Sequence, residues 1–331
     1  MDLCSLRDLR GQPTAVNLFR QALEQGRLAH AYLLVGPEGT GKATAVRALT
    51  AELFCESRKA CAQCRACGKL LRGTHPDFLV LSREGERISL ARVREAERFL
   101  RYPPLEAPAK IVLVQEAERL TPEAANALLK SLEEPPAYAH FFLTAVSTER
   151  LLPTIVSRTQ VVRFRALSPE VLEGLLMERF NLSPEEAQVL ALLAEGSLGR
   201  ALRFSRAGLL EDLHRLAAAA RSEDPGLQLK AVEALGARKD RLPDLLYLLE
   251  LWLWHSFLAD RGLRPYPPGL PEPAPAKDIF SLAEEVERVR EGLESYANPE
   301  LSLIYLLFRL SEAWSGGLSD ENTLLQHKAG T

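Results

Sequence analysis

Five short apolar runs mark the first half of the chain: Ala31 to Val35, Asp77 to Leu81, Ile111 to Val114, Phe141 to Val146 and Val161 to Phe164. Ile111 to Val114 is continuous rather than alternating, as expected of a buried parallel strand. Helical spacing fills the gaps between the five runs. Val16, Phe19, Leu23 and Leu28 share one side of a segment opened by Gly11-Gln12-Pro13-Thr14, and Ala43 to Phe54 follows a glycine-rich turn. Ser89 to Arg101 carries Leu90, Val93 and Leu100 on one side and Arg94, Arg98 and Arg101 on the other. Thr121-Pro122-Glu123 offers a hydroxyl cap and a proline in the first helical turn, and Pro135-Pro136 stops the helix that begins there. Alternating strands and helices predict one α/β domain over residues 1–166, its parallel sheet covered on both faces.

The pattern then changes. No strand run follows Phe164, and Ser168-Pro169-Glu170 and Ser183-Pro184-Glu185-Glu186 read as helix starts, the second as a capping box. They predict a small helical domain over 167–207, ending near Gly199-Arg200-Ala201-Leu202. From 208 to 331 the spacing is helical again, through Leu245–Phe257, Ile279–Leu293 and Leu301–Trp314. Six prolines between Pro265 and Pro275 predict an extended loop between two of these helices. The tail from Ser315 is expected to fray.

The turn after the first strand is Gly36-Pro37-Glu38-Gly39-Thr40-Gly41-Lys42-Ala43. Strand, glycine-rich turn and helix start are the setting of a P-loop. Its glycines let successive backbone N–H groups converge on phosphate at a helix N-terminus, and Lys42 reaches the outer phosphates. The candidate nucleotide residues are Gly36, Gly39, Gly41, Lys42 and Thr44. The motif asks for Ser or Thr after the lysine, to hold Mg²⁺, and Ala43 stands there; Thr44 is about 100° further round the helix. A second departure follows the third strand. A P-loop ATPase ends that strand with an Asp for Mg²⁺ and a Glu for the attacking water. Here Gln115 replaces the Asp and Glu116 is retained. A glycine-rich turn without a ligand is the alternative.

Four of the five cysteines form the set Cys55-x5-Cys61-x2-Cys64-x2-Cys67. Four thiolates at this spacing suit a closed tetrahedral Zn²⁺ site with no open position for catalysis. An iron–sulfur cluster is the competing reading. With 47% hydrophobic and 26% charged residues and a net charge of −3, the chain reads as an ordinary globular protein in which any nucleic-acid contact must be a local patch. No apolar run approaches 18 residues and Met1-Asp2-Leu3-Cys4 lacks a signal-peptide layout, so a cytoplasmic protein without membrane contact is expected. The arginines 94, 98 and 101 are a solvated face by default and a phosphate-contacting stripe as the alternative.

Several stretches together resemble the clamp-loader branch of the AAA+ proteins, and within it the delta-prime family of the bacterial DNA polymerase III loader. They are residues 36–43, the cysteine set, Gly73-Thr74-His75-Pro76-Asp77, Ala125 to Pro136, and Glu149 to Thr159. Most of residues 30–165 is covered; the helical half matches only in being helical and in Gly196-Ser197-Leu198-Gly199. The resemblance implies an α/β AAA+ P-loop domain with a parallel sheet, a small helical lid and an all-α collar that holds subunits in a ring. The implied partners are gamma/tau motor subunits and a delta subunit in a hetero-pentamer, a sliding clamp, and primer–template DNA reached through the complex.

In this family the arginine of a Ser-Arg-Cys motif enters the ATP site of the neighbouring subunit. The motif stands here as Ser157-Arg158-Thr159, so the resemblance makes Arg158 an arginine finger in trans. It places the γ-phosphate-sensing Thr at Ala145, beside Thr144, and the lid arginine of the motors at Gly199. Ala43, Gln115, Ala145 and Gly199 are thus four departures around one site. Losing one preorganised transition-state contact costs on the order of 10² to 10³ in rate. A non-hydrolysing stator of the polymerase III holoenzyme is the expected function, with structural Zn²⁺ and at most weak, Mg²⁺-independent ATP or ADP binding. The alternatives are an active gamma/tau-type ATPase motor and, less well supported, a zinc-based DNA-binding protein.

Overall fold

Successive side chains of a strand point to opposite faces, so the five apolar runs divide their residues between two cores. The computed structural model describes residues 5–275, 279–294 and 298–315. The runs form β1 (Ala31–Val35), β2 (Phe78–Leu81), β3 (Lys110–Val114), β4 (Ala139–Ala145) and β5 (Gln160–Arg163). All pairings are parallel, in the order β2-β3-β4-β1-β5. On one face, Leu33, Val112 and Phe141 pack with Val93 and Leu100 of α4 (Leu90–Leu100) and Leu128 and Leu132 of α5 (Pro122–Glu133). On the other, Tyr32, Leu113 and Phe142 meet Val16 and Phe19 of α1 (Pro13–Glu24) and Val46 and Leu49 of α2 (Lys42–Phe54). Tyr32 stacks on Phe142 with ring centroids 5.2 Å apart, and Phe19 meets Tyr32 edge-on at 5.5 Å. The expected α/β fold is present.

Local signals account for most boundaries. Pro13 and Pro122 occupy first helical positions, where no N–H is needed. Thr121 caps α5 by accepting Ala124 N–H at 3.3 Å. The first helix is shorter than its apolar spacing implied: it ends at Glu24, and Gly26, at φ 64°, turns the chain before Leu28. Two short helices complete the domain, α3 (Arg65–Leu71) in the cysteine module and α6 (Pro153–Val156) ahead of β5.

The chain divides into two compact units, Met1–Leu172 with Glu195–Gly199, and Glu173–Ala194 with Arg200–Thr331. Segment 195–199 belongs with the first because its backbone is tied there: Leu167 N–H donates to Gly196 O at 3.0 Å and Gly199 N–H to Gly39 O at 3.2 Å.

Helical spacing from Ser168 onward yields α7 (Pro169–Phe180), α8 (Pro184–Leu193), α9 (Leu198–Ala207), α10 (Leu209–Arg221), α11 (Pro225–Gly236), α12 (Leu242–Asp260), α13 (Ile279–Glu294) and α14 (Pro299–Ser315). Ser183 caps α8, accepting Glu186 N–H at 3.2 Å. The carboxylate of Glu186 accepts from Ser205 Oγ at 3.0 Å. Trp252, Leu249, Leu282 and Leu306 are fully buried in the second unit. Two buried acids there are paired, as burial of charge requires: Asp212 with Arg215 and Arg238, and Glu285 with Arg288, Arg309 and the Tyr305 hydroxyl. The proline-rich stretch is a loop, as expected, and it is anchored. Trp252 Nε1 donates to Tyr266 Oη at 2.8 Å, and Ala274 N–H to Ser256 Oγ at 3.0 Å. Ser315 is the last residue of α14, and the fraying expected from there on falls on residues outside those described.

Candidate functional site

β1 feeds the glycine-rich loop and α2 leaves it. Gly36, Gly39 and Gly41 adopt φ 155°, 70° and 94°. Crowding also demands glycine at two of them. A Cβ on Gly36 would lie 2.2 Å from Phe164 O, and one on Gly39 would lie 2.1 Å from Ser197 Oγ and 2.9 Å from Gly199 N. Thr40 Oγ1 donates to Pro37 O at 2.8 Å. Gln12 grips the end of β5 from the side: its Nε2 donates to Arg165 O at 2.7 Å and its Oε1 accepts Arg165 N–H at 3.1 Å. Lys42 Nζ donates back into the loop, to Gly36 O at 2.5 Å and Pro37 O at 2.6 Å. Burial pulls the Lys42 pKa below its ordinary value, against the opposing pull of Glu118, Glu38 and Glu116.

The loop and helix start suit a phosphate group; the Mg²⁺ positions do not suit a metal. Ala43 brings no oxygen, Thr44 is exposed one residue further along α2, and β3 leads into the neutral amide of Gln115. Glu116 sits in the left-handed region at φ 55°, its carboxylate 3.7 Å from Arg83 and 3.9 Å from Arg119. Its N–H donates to Thr144 Oγ1 at 3.0 Å, so the hydroxyl beside Ala145 serves the backbone of this turn.

The cysteine set is brought together. Cys55 follows the last residue of α2, Cys64 caps α3, and Cys67 lies within α3. All four Sγ atoms lie within 4.8 Å of one another, Cys55 and Cys64 at 4.0 Å. Tetrahedral thiolates about 2.3 Å from one ion stand about 3.8 Å apart, so the set fits a single metal. An iron–sulfur cluster divides its thiolates among several irons and suits a closely gathered set less well. Arg58, Ala60 and Ala62 all take left-handed φ, at 58°, 49° and 59°, as the chain winds around the sulfurs. Each such residue costs on the order of 1 kcal/mol, which metal ligation can offset. Cys61 N–H donates to Cys55 Sγ and Cys64 N–H to Cys61 Sγ, both at 3.4 Å. Burial opposes ionisation of Cys55, but hydrogen bonds from the Cys61 N–H and the Ser57 hydroxyl outweigh it and bring the thiol down to about 5. Cys67 is pushed up, by burial first and by hydrogen bonding with Cys64 and Cys55.

Arg158 lies between α6 and β5, and His30, just before β1, is hydrogen-bonded through Nε2 to Arg158 O at 3.0 Å. β1 and β5 are parallel. The glycine-rich loop leaves the C-terminal end of β1, whereas Arg158 enters at the N-terminal end of β5. The two are therefore separated by about one strand length, roughly 15 Å. The guanidinium places Nη2 2.6 Å from Glu133 Oε1, and Nη1 donates to Thr154 O at 3.1 Å and Ser157 Oγ at 3.4 Å. Its side chain remains 35% exposed.

Sequence reasoning passed over three residues of this unit. Glu133 holds Arg158, and Gln12 braces the end of β5. Asp77 is fully buried, and its carboxylate accepts the N–H groups of Leu105, Glu106 and Ala107 at 2.8, 2.8 and 2.9 Å. An acidic residue in an otherwise apolar strand start was the available signal for the last. Arg94, Arg98 and Arg101 are all exposed and carry no ion pair among the described residues.

Comparison with known proteins sharpens the reading. Residues 11–168 match a family model described as "DNA polymerase III, delta subunit". The delta' subunit of Bacillus subtilis (strain 168) is 35% identical over 197 residues, 59% of this chain and 59% of the relative. The delta' subunit of Pseudomonas aeruginosa is 42% identical over 146 residues, 43% of this chain and 44% of that one. The tau subunit of Escherichia coli (strain K12) is 32% identical over 206 residues, 60% of this chain and 32% of its own length. In each case the match spans less than two thirds of the relative. Over residues 11–168, just under half of its length, the chain is similar to DNA polymerase III subunits of the delta and delta-prime kind, and its parallel sheet, glycine-rich loop and clustered cysteines lie within or beside that stretch.

Proposed function

We propose that the chain is a non-hydrolysing stator of the DNA polymerase III clamp loader, which supplies Arg158 to the ATP site of a neighbouring motor subunit. The observation that carries this is the position of Arg158, at the opposite end of the sheet from its own glycine-rich loop. A guanidinium so placed cannot serve its own chain's nucleotide. Set against a neighbour's γ-phosphate, it stabilises the charge that develops as the phosphoryl group leaves. Residues 1–166 act as the AAA+ domain, 167–207 as its lid and 208–331 as the collar of a cytoplasmic hetero-pentamer with gamma/tau and delta subunits. The ring opens a sliding clamp and closes it on primer–template DNA. The four cysteines hold one structural Zn²⁺.

The tau match keeps the motor reading in view, and Ala43 and Gln115 favour the stator, since neither offers Mg²⁺ an oxygen anion or hydroxyl. The isolated chain is expected to show no ATP turnover, and native mass spectrometry of a mixture with motor and delta subunits should find it in a five-membered ring. Turnover at a motor's rate, abolished by Lys42→Ala, would restore the motor assignment.

The exposed Arg94, Arg98 and Arg101 are assigned to the phosphates of the duplex within the ring. Replacing any one by Ala in the assembled loader should lower the salt slope of DNA binding by about one. An unchanged slope returns the three to a solvated face.

A further inference from the structure

A groove of about 750 Å³ lies on the side of the first unit away from that arginine stripe. The stripe belongs to α4, which packs with the core on one face of the sheet, whereas the groove is walled by residues of α1 and α2, which pack with the core on the other. Four cations line it from three places in the sequence: Arg7 from the turn before α1, Arg20 from α1, and Arg58 and Lys59 from the stretch between Cys55 and Cys61. None of the four is ion-paired among the described residues. Two carboxylates, Glu24 and Glu52, also line the groove, and that of Glu52 accepts Leu6 N–H at 2.7 Å; four cations against two carboxylates leave a formal excess of two positive charges. In a chain of net charge −3 this is a local excess of positive charge.

We propose that this groove binds the phosphodiester backbone of a single nucleic-acid strand, and that the metal-folded cysteine loop completes it. The ligand class follows from the lining. No aromatic side chain is present to stack a base, so recognition runs through phosphates alone, unlike sites that combine a basic track with stacking. One inorganic phosphate would satisfy few of four dispersed cations, whereas a flexible strand meets them in series and releases a counterion at each. The cysteine loop sets two of the four contacts. Arg58 is held at φ 58° within the winding around the sulfurs, and Cys55 and Cys61 bracket it and Lys59. The module thereby carries a ligand surface as well as a metal.

The test uses the full, zinc-loaded chain with Arg94, Arg98 and Arg101 replaced by Ala, so that the stripe contributes nothing. Fluorescence anisotropy with labelled (dT)20 across a salt series should give a slope near −3, about −0.7 for each of four phosphates. Arg58→Ala with Lys59→Ala should reduce the slope by about 1.4, and so should Arg7→Ala with Arg20→Ala, a pair outside the metal loop that keeps the metal in place. Chelation of the zinc should match the first pair. Three outcomes overturn the proposal: a slope unchanged in both pairs, inorganic phosphate displacing the strand at micromolar concentration, or duplex of equal length binding more tightly than the strand.

Discussion

Arg158→Ala in a loader reconstituted with clamp and primed DNA should leave the ring assembled and reduce ATP turnover at the adjoining site by roughly 10³ to 10⁵. The size of the effect follows from the chemistry of an arginine finger, which acts on charge that exists only as phosphoryl transfer proceeds. Assembly should survive because the side chain is partly exposed and bonds only to its own helix turn and to Glu133. That carboxylate supplies a second, independent reading. At 2.6 Å it fixes the guanidinium, so Glu133→Gln should keep the arginine's charge but loosen its aim. The expected signature is a smaller loss, about tenfold, in turnover at saturating ATP with little change in KM at the neighbour. Full clamp loading by a correctly assembled Arg158→Ala ring would remove the finger role while leaving membership of the ring intact.

Cys67→Ser should abolish stoichiometric metal binding and destabilise the first unit by at least about 3 kcal/mol, a fall of about 10 °C in Tm. Cys67 is fully buried and sits on α3, whose other anchor is the buried Leu70. Without a metal, three left-handed residues in five positions have nothing to hold them, and the segment from Cys55 to Leu71 should open. The pH dependence has a definite sign. A thiolate is the ligand and protons compete for it, and Cys67, whose pKa is raised, must shed its proton on binding. Affinity should therefore climb with pH through neutrality and fall in acid. Elemental analysis with calorimetry on wild type and variant provides the check. Protein that is metal-free as isolated from its own cells and equally stable would end the zinc assignment.

The strands were legible because their inner positions are apolar, and β1 and β3 are buried at every position, a pattern few other elements so short show. Helices α5 and α8 were legible through their capping hydroxyls at Thr121 and Ser183. Helix α3 was not, for Arg65–Leu71 is seven residues long, contains Gly68 and has no apolar period. The cysteine cluster could be read because its ligands lie within 13 residues. Glu133 could not be matched to Arg158 across 25 positions, since a glutamate near a helix end is commonplace and only the return of the chain through α6 brings the two together. For the same reason Gly39 and Gly199, 160 residues apart, showed no sign of meeting.

For the stator proposed above, that meeting bears on how readily hydrolysis could be restored. At the position to which the resemblance assigns the motors' lid arginine, a Cβ on Gly199 would lie 3.0 Å from Gly39 Cα, and one on Gly39 would overlap Ser197 and the Gly199 backbone. With glycine at both positions, the two stretches of main chain lie against each other and share a hydrogen bond. A side chain at 199 would set its Cβ 3.0 Å from that backbone, so the loop would have to give by a few tenths of an ångström to take it. Restoring Ser at 43 and Asp at 115 would leave that obstacle in place. For the stator proposed above, the contact would act as a ratchet, adding a cost to any return of a side chain at 199 and so favouring the state without hydrolysis.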